Sequence, residues 1–180
     1  DTLDKFDVGI CSDSSKQMNG RIVVPVYDDN HEYMVGCVGR AQTETSNGFK
    51  WVNSKNFNSG LYLYGYWLAK DKIRETKTVI LVEGQGDVWR LYEAGIGNAV
   101  GMFGSSLSDG QARILETSGA FNVVVLTDND DAGAKAKQSV GKKCERLFHL
   151  VFPEFSKEDI GEMSVNEIET IIKPQLTGMI

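Results

Sequence analysis

The chain has 180 residues and 41% hydrophobic content, enough for one sizeable core or two small lobes and too apolar for a chain disordered throughout. Its 19 Lys and Arg stand against 25 Asp and Glu, and the net charge of -6 argues against tight, unaided DNA binding. It leaves room for a local basic face and for clustered acids that divalent cations neutralise.

No apolar run approaches the roughly 20 residues of a membrane helix, and Asp1-Thr2-Leu3-Asp4-Lys5 lacks the basic start and apolar stretch of a signal peptide. A cytoplasmic protein without membrane contact is expected. The first residue is not Met, which suggests a piece of a longer protein. Cys11, Cys37 and Cys144 are odd in number and far apart, so reduced, buried thiols are expected and neither a disulfide framework nor a zinc site. His31 and His149 lack the neighbours a zinc ligand set needs, and read as turn or strand residues.

In chain order, Arg21 to Tyr27 and Tyr33 to Gly39 read as two strands joined by the turn-rich Asp28-Asp29-Asn30-His31, and Lys50 to Asn53 as a further short strand. Leu61 to Ile73 carries aromatic and aliphatic residues at helical spacing and is expected to seal this first lobe. From residue 76 the pattern alternates. Strands are predicted at Thr78 to Glu83, Asn98 to Phe103 and Phe121 to Asp128, and helices at Asp87 to Ala94, Asp109 to Ser118 and Ala132 to Arg146. Such alternation implies right-handed crossovers and a mostly parallel sheet flanked by helices, an α/β fold preceded by a small mixed α+β lobe. A last strand near Leu147 to Phe152 and a helix over Ser164 to Ile172, ended by Pro174, complete the chain. Ser108-Asp109-Gly110-Gln111 and Ser164-Val165-Asn166-Glu167 have the form of capping boxes. Three parts are expected: residues 1–75, 76–163 and 164–180.

Reactive groups in open parallel sheets collect beyond the carboxyl ends of the strands. There, Val79-Ile80-Leu81-Val82 runs into Glu83, and Val123-Val124-Val125-Leu126 into Thr127-Asp128-Asn129-Asp130. Residues i and i+2 of an extended chain face the same way, so Asp128 and Asp130 can aim at one point. Asp87 follows Glu83 across Gly84 and Gly86, which permits a tight return. Crowded carboxylates repel and raise each other's pKa unless a hard cation joins them. Mg2+ suits such a set, taking one or two carboxylates while phosphates supply further oxygens. Spacing alone leaves two other readings open: acids that simply mark where buried strands reach water, and a receiver-type aspartate site. The glycines between Gly95 and Gly101 lead into a strand instead of following one, so they do not form a dinucleotide fingerprint, and no phosphate-loop motif is present.

Four segments, Glu83-Gly84-Gln85-Gly86-Asp87-Val88, Gly95-Ile96-Gly97-Asn98-Ala99-Val100, Phe103-Gly104-Ser105-Ser106-Leu107-Ser108 and Thr127-Asp128-Asn129-Asp130-Asp131-Ala132-Gly133, stand in an order that resembles the Toprim domain. The resemblance is to the Toprim-containing polymerase core of DnaG-type bacterial primases and phage primase-helicases. Gly20 to Asp28, Val38-Gly39-Arg40-Ala41 and Lys50-Trp51-Val52-Asn53-Ser54 resemble the smaller lobe of the same core.

The resemblance implies a DNA primase that makes short RNA primers on single-stranded DNA from ribonucleoside triphosphates, with two Mg2+ or Mn2+ ions and a replicative helicase as partner. It makes Glu83 a metal ligand or general base, Asp87 a companion catalytic acid, and Asp128 and Asp130 catalytic metal ligands. Asp159, in Lys157-Glu158-Asp159, matches a late acidic motif as a further metal ligand, although Ile160-Gly161 departs from the family's usual D-P-D. Arg21, Arg40, Lys50 and Asn53 would line the template and nucleotide groove. A family lysine expected near Leu61 to Gly65 is absent, Ser59 standing there. The family's zinc module is missing from this chain. A Toprim nuclease or topoisomerase fragment, or a non-catalytic DNA-binding module, is the alternative.

Overall fold

The first strands follow from turn chemistry. In the computed structural model, which describes residues 1–43 and 49–180, a short helix α1 (Thr2–Lys5) precedes strands β1 (Gly9–Ile10), β2 (Arg21–Tyr27), β3 (Met34–Ala41) and β4 (Trp51–Asn53). The four strands form an antiparallel sheet in that order. Between β2 and β3 the Asp28 side chain accepts the N–H groups of Glu32 and Tyr33 at 2.8 and 3.0 Å. His31 takes φ 59° in this turn, as a turn residue should. Val24, Val26 and Val38 are buried on this sheet. The pair α1 and β1 was not expected, because elements of 4 and 2 residues show no periodicity.

These elements belong to one compact unit, Asp1–Asn58, and the rest of the chain to a second, Ser59–Ile180. Helix α2 (Tyr66–Thr76) opens the second unit's regular structure. Its Tyr66, Ala69 and Ile73 join Val79, Leu81 and Val100 in that unit's core, so this helix, expected as part of the first lobe, belongs to the second unit. Strand β5 (Thr78–Val82), helix α3 (Gln85–Glu93), strand β6 (Ala99–Gly101), helix α4 (Asp109–Thr117), strand β7 (Asn122–Val125), helix α5 (Asp131–Cys144) and strand β8 (His149–Val151) then alternate. Their sheet is wholly parallel, in the order β6-β5-β7-β8. Every residue of β5 is fully buried, the property that its unbroken apolar run announces.

Helix α6 (Val165–Glu167) continues through a wide turn, Ile168–Ile172, into a tight one, Lys173–Leu176. Pro174 therefore lies within helical structure instead of ending it. It stands at the start of the tight turn, where a missing N–H costs little. Both expected capping boxes form, on α4 and α6.

Candidate metal centre

Parallel pairing of β5 with β7 sets their carboxyl ends side by side. Glu83 follows β5 directly, and Leu126 extends the pairing by donating its N–H to Leu81 O at 2.9 Å. The Asp128 N–H then reaches Glu83 Oε1 at 3.3 Å, which ties the two loops together at the acids. Thr127 is fully buried, its hydroxyl on Gly133 O at 3.1 Å. Asp130 caps α5, its Oδ1 accepting the Gly133 N–H at 2.7 Å. A side chain at Gly133 would overlap the Asp128 main chain, so this loop closes only on a glycine. Asp130 is exposed and Asp128 half-buried, and one oxygen of Asp130 is engaged in the cap.

Helix α3 begins at Gln85, two residues before the expected start, because Asp87 serves it as a first-turn acid. Asp87 Oδ2 accepts the Gly84 N–H at 2.9 Å, and its Oδ1 accepts the Gly161 N–H at 3.0 Å. Both oxygens of this buried carboxylate are thus given to the main chain. Asp159 is half-buried and its Oδ1 accepts the Glu162 N–H at 2.7 Å. A side chain at Gly161 would meet Asp87 Oδ1 at 3.1 Å and Asp159 Oδ1 at 3.2 Å, so these carboxylates flank one point and a side chain there would press on both. Gly161, which in the sequence stands out only as a departure from D-P-D, and Asn129, which carries no signal of its own there, make bonds that span the loops. A glycine two residues after Asp159 was the available signal.

The acids burden one another. Burial, above all, pushes Asp128 up to about 7, and Glu83, Asp87, Asp159 and Asp130 add their repulsion. Asp87 rises to about 6, chiefly by burial; Asp159 and Glu83 reinforce the rise, and the Gly84 and Gly161 N–H groups oppose it. Glu83 is also raised, by burial first and by Asp130, against the Asp128 N–H. Among the described residues no Lys, Arg or His forms an ion pair with any of these acids. Nor do three Asp, Glu, His or Cys side chains among them converge into a ready-made cage. An all-oxygen donor set with uncompensated charge and no closed cage fits Mg2+ or Mn2+, which keep waters and share their shell with substrate phosphates.

The other candidates lie in the first unit. Arg40 is exposed and its guanidinium stands over Trp51, 5.7 Å from the ring centre. Pairing of Arg40 with Trp51 and of Val38 with Asn53 puts Arg40, Trp51 and Asn53 on one face of the sheet. Arg21 pairs with Ala41, next to Arg40, and so lies on the other face. Its Nη1 donates to Gly39 O and Phe49 O, both at 3.2 Å. Lys50 is exposed, and its carbonyl accepts the Ala41 N–H at 2.9 Å. A cavity of about 560 Å³ in this unit, lined by Ile10, Met18, Val23, Pro25, Tyr27 and Met34 among others, contains none of the candidate residues. Only Cys144 is buried. Cys11 and Cys37, expected to be buried, are partly exposed and line that cavity, and all three are free thiols.

Comparison with known proteins gives the geometry a context. Residues 77–151 match the Toprim domain. The DNA primase of Aquifex aeolicus is 38% identical over 122 residues, 66% of this chain and 24% of that protein. The DNA primase of Helicobacter pylori strain 26695 is 36% identical over 159 residues, 84% of this chain and 27% of that protein. The chain therefore spans about a quarter of the length of these curated relatives. A crystal structure of the Aquifex aeolicus primase, with zinc-binding and RNA polymerase domains, superimposes with a TM-score of 0.81 at 25% identity, over 99% of this chain and 51% of that one. A DnaG primase catalytic domain bound to single-stranded DNA has the same fold, with a TM-score of 0.74 at 22% identity over 98% of this chain and 62% of that one.

Proposed function

Since the chain belongs to the Toprim-containing polymerase cores of DnaG-type DNA primases, we propose that it makes short RNA primers on single-stranded DNA by metal-dependent nucleotidyl transfer. The observation that carries this reading is the group of mutually repelling carboxylates at the carboxyl ends of β5 and β7, with no cationic partner among the described residues.

We assign Glu83, Asp128 and Asp130 to direct metal ligation, with Asp159 as a further ligand. When bound, two Mg2+ or Mn2+ ions would lower the pKa of the attacking 3'-hydroxyl and neutralise charge on the leaving pyrophosphate. Asp87 holds the loop after β5 to the loop of Gly161 and keeps negative charge behind the ligands. Glu83, with its carboxyl raised and one oxygen on the Asp128 N–H, is placed to accept a proton or hold an ion. Arg40 and Asn53, on the face that carries Trp51, are assigned to template or nucleotide phosphate and sugar. Lys50 is assigned to phosphate. Arg21, its guanidinium on two carbonyls, is assigned to support of that strand end as well as to charge.

Functionally we divide the chain into an N-terminal lobe, 1–75, the Toprim segment, 76–163, and a C-terminal helix and tail, 164–180. The relative bound to single-stranded DNA supports a DNA template here, and a replicative helicase would recruit a core whose net charge is -6. No described helix is long and apolar enough to cross a membrane, and a replication role assigns the protein to the cytoplasm.

The test incubates the chain with single-stranded DNA, labelled ribonucleotides and Mg2+ or Mn2+. Labelled oligoribonucleotides are expected, and Asp128→Asn reduces them about 100-fold or more, a loss of about 2.7 kcal/mol of transition-state stabilisation. Cleavage of the DNA without synthesis overturns the reading in favour of a Toprim nuclease.

A further inference from the structure

Chelation by Asp128 and Asp130 places no demand on the side chain between them, which points out of the i, i+2 pair. Yet Asn129 makes more long-range hydrogen bonds than either acid. Its Nδ2 donates to Phe155 O at 2.8 Å and to Lys157 O at 2.7 Å, and its main-chain N–H donates to Glu158 O at 2.8 Å. Both amide hydrogens are used, on carbonyls 26 and 28 residues further along. The carbonyls fix the orientation of the amide, since its oxygen in that place would face two acceptors.

The segment so held lies between β8 and α6 and has no helix or strand of its own. Such a segment carries many exposed main-chain groups and depends on side-chain ties for its shape. Asp159 sits one residue beyond the last of these bonds. On its other side, Gly161 is tied to Asp87, and Ile160 and Met163 are each 1% exposed. Lys157 also pairs with Glu167 at 3.5 Å, but both side chains are partly in water and the pair holds little. Asp159 is therefore clamped from two sides: by Asn129 upstream and by the Gly161 anchor downstream.

We propose that Asn129 is a positioning residue of the metal site, its amide fastening the 155–159 segment to the Asp128–Asp130 loop and so holding the Asp159 carboxylate among the other acids. The proposal rests on the metal-site reading above. The Asn129 amide gives both its hydrogens to main-chain carbonyls and none to a ligand carboxylate; it acts through Asp159, as the hydrogen-bonding partners around a metal's ligands do. Removing it costs metal affinity without removing a carboxylate.

The measurement is Mn2+ affinity by electron paramagnetic resonance, on the chain and on Asn129→Leu, Asp159→Asn, the double variant and Asp128→Asn. Leu keeps the branching of Asn at Cγ, on a side chain that is exposed and so has room for its greater bulk, and removes both donors. Asn129→Leu is expected to weaken Mn2+ binding about tenfold, by as much as Asp159→Asn does, and the double variant no further. A general loosening of the fold would weaken the Asp159→Asn background again, so this non-additivity is the sign of action through Asp159. Trypsin cleavage after Lys157, measured without metal, should become several-fold faster in Asn129→Leu. Unchanged Mn2+ affinity in Asn129→Leu, or additive losses in the double variant, overturns the proposal and leaves the metal site standing if Asp128→Asn still abolishes binding. A parent chain that binds no Mn2+, or binds it equally with Asp128→Asn, overturns the metal-site reading and this proposal with it.

Discussion

Asp87 and Asp128 are both acids with raised pKa values, yet they should respond to replacement in opposite directions. Asp87 has each oxygen on a main-chain N–H, from Gly84 and from Gly161. Asp87→Ala leaves two donors in a nearly dry place and is expected to cost about 2–4 kcal/mol, or roughly 4–16 °C in Tm at 2–4 °C per kcal/mol. Asp128 accepts no hydrogen bond among the described residues and is pressed by four other acids. Asp128→Asn should raise the metal-free Tm at pH 8 by a few degrees, about 1 kcal/mol once solvent screening of this half-exposed group is allowed for, while abolishing synthesis. Thermal melts in chelator decide it, and a lower Tm for Asp128→Asn contradicts the account. The sequence shows both residues as acids at loops after strands. It does not show which one the fold needs, because the bond that makes Asp87 structural comes from Gly161, 74 residues away. Asn129 escaped notice for the same reason.

Helix α4 shows the same limit one level up. Its capping box is legible: Ser108 Oγ accepts the Gln111 N–H at 3.0 Å, and Gln111 Oε1 accepts the Ser108 N–H at 2.9 Å. The other end of the Gln111 side chain was not legible. Its Nε2 donates to Met102 O at 2.8 Å and Tyr62 O at 2.9 Å, and to Ser59 O at 3.3 Å, which secures the approach to α2 against the sheet. Gln111→Ala should therefore cost more than the ~1 kcal/mol of a lost cap. With carbonyls left unpaired beside a residue only 1% exposed, about 2–4 kcal/mol is expected. A chemical denaturation midpoint shifted by no more than a cap's worth would show that the amide's contacts are dispensable. The start of α2 has a related explanation. Periodicity extends back to Leu61, but Leu61 is 54% exposed and Gly65 takes φ 77° as the N-cap, so the helix begins at Tyr66. Strand identity was clear where an apolar run is continuous, as in β5 and β7. The order β6-β5-β7-β8 was not, since pairing between distant strands leaves no local trace.

Across the whole molecule, the acid cluster turns pH into a stability variable, and the sign is fixed by the direction of the shifts. Asp87 and Asp128 titrate from 3.8 as unperturbed groups and from about 6 and about 7 in the fold. Between those limits the folded state binds more protons than the unfolded one, so stability falls as pH rises from about 4 through 7 and levels off above. Asp13, Asp109 and Glu167 have lowered values and act the other way, but their contribution is lost only as pH falls through their ordinary values of 3.8, 3.8 and 4.5, so it hardly changes between pH 5.5 and 8. Metal-free chain should thus melt lower at pH 8 than at pH 5.5. After screening of Asp128, the difference is on the order of 2 kcal/mol, roughly 4–8 °C. A cation that binds only the folded, ionised site stabilises it in proportion to the logarithm of its concentration over Kd. Millimolar Mg2+ should then restore most of the lost Tm at pH 8, do little at pH 5.5, and do nothing at either pH in Asp128→Asn. Calorimetric scans at both pH values, with Mg2+ and with chelator, measure all of these terms. A Tm that climbs from pH 5.5 to 8 in chelator would mean that the carboxylates do not repel one another in the folded chain, and the case for a metal between them would lose its physical basis.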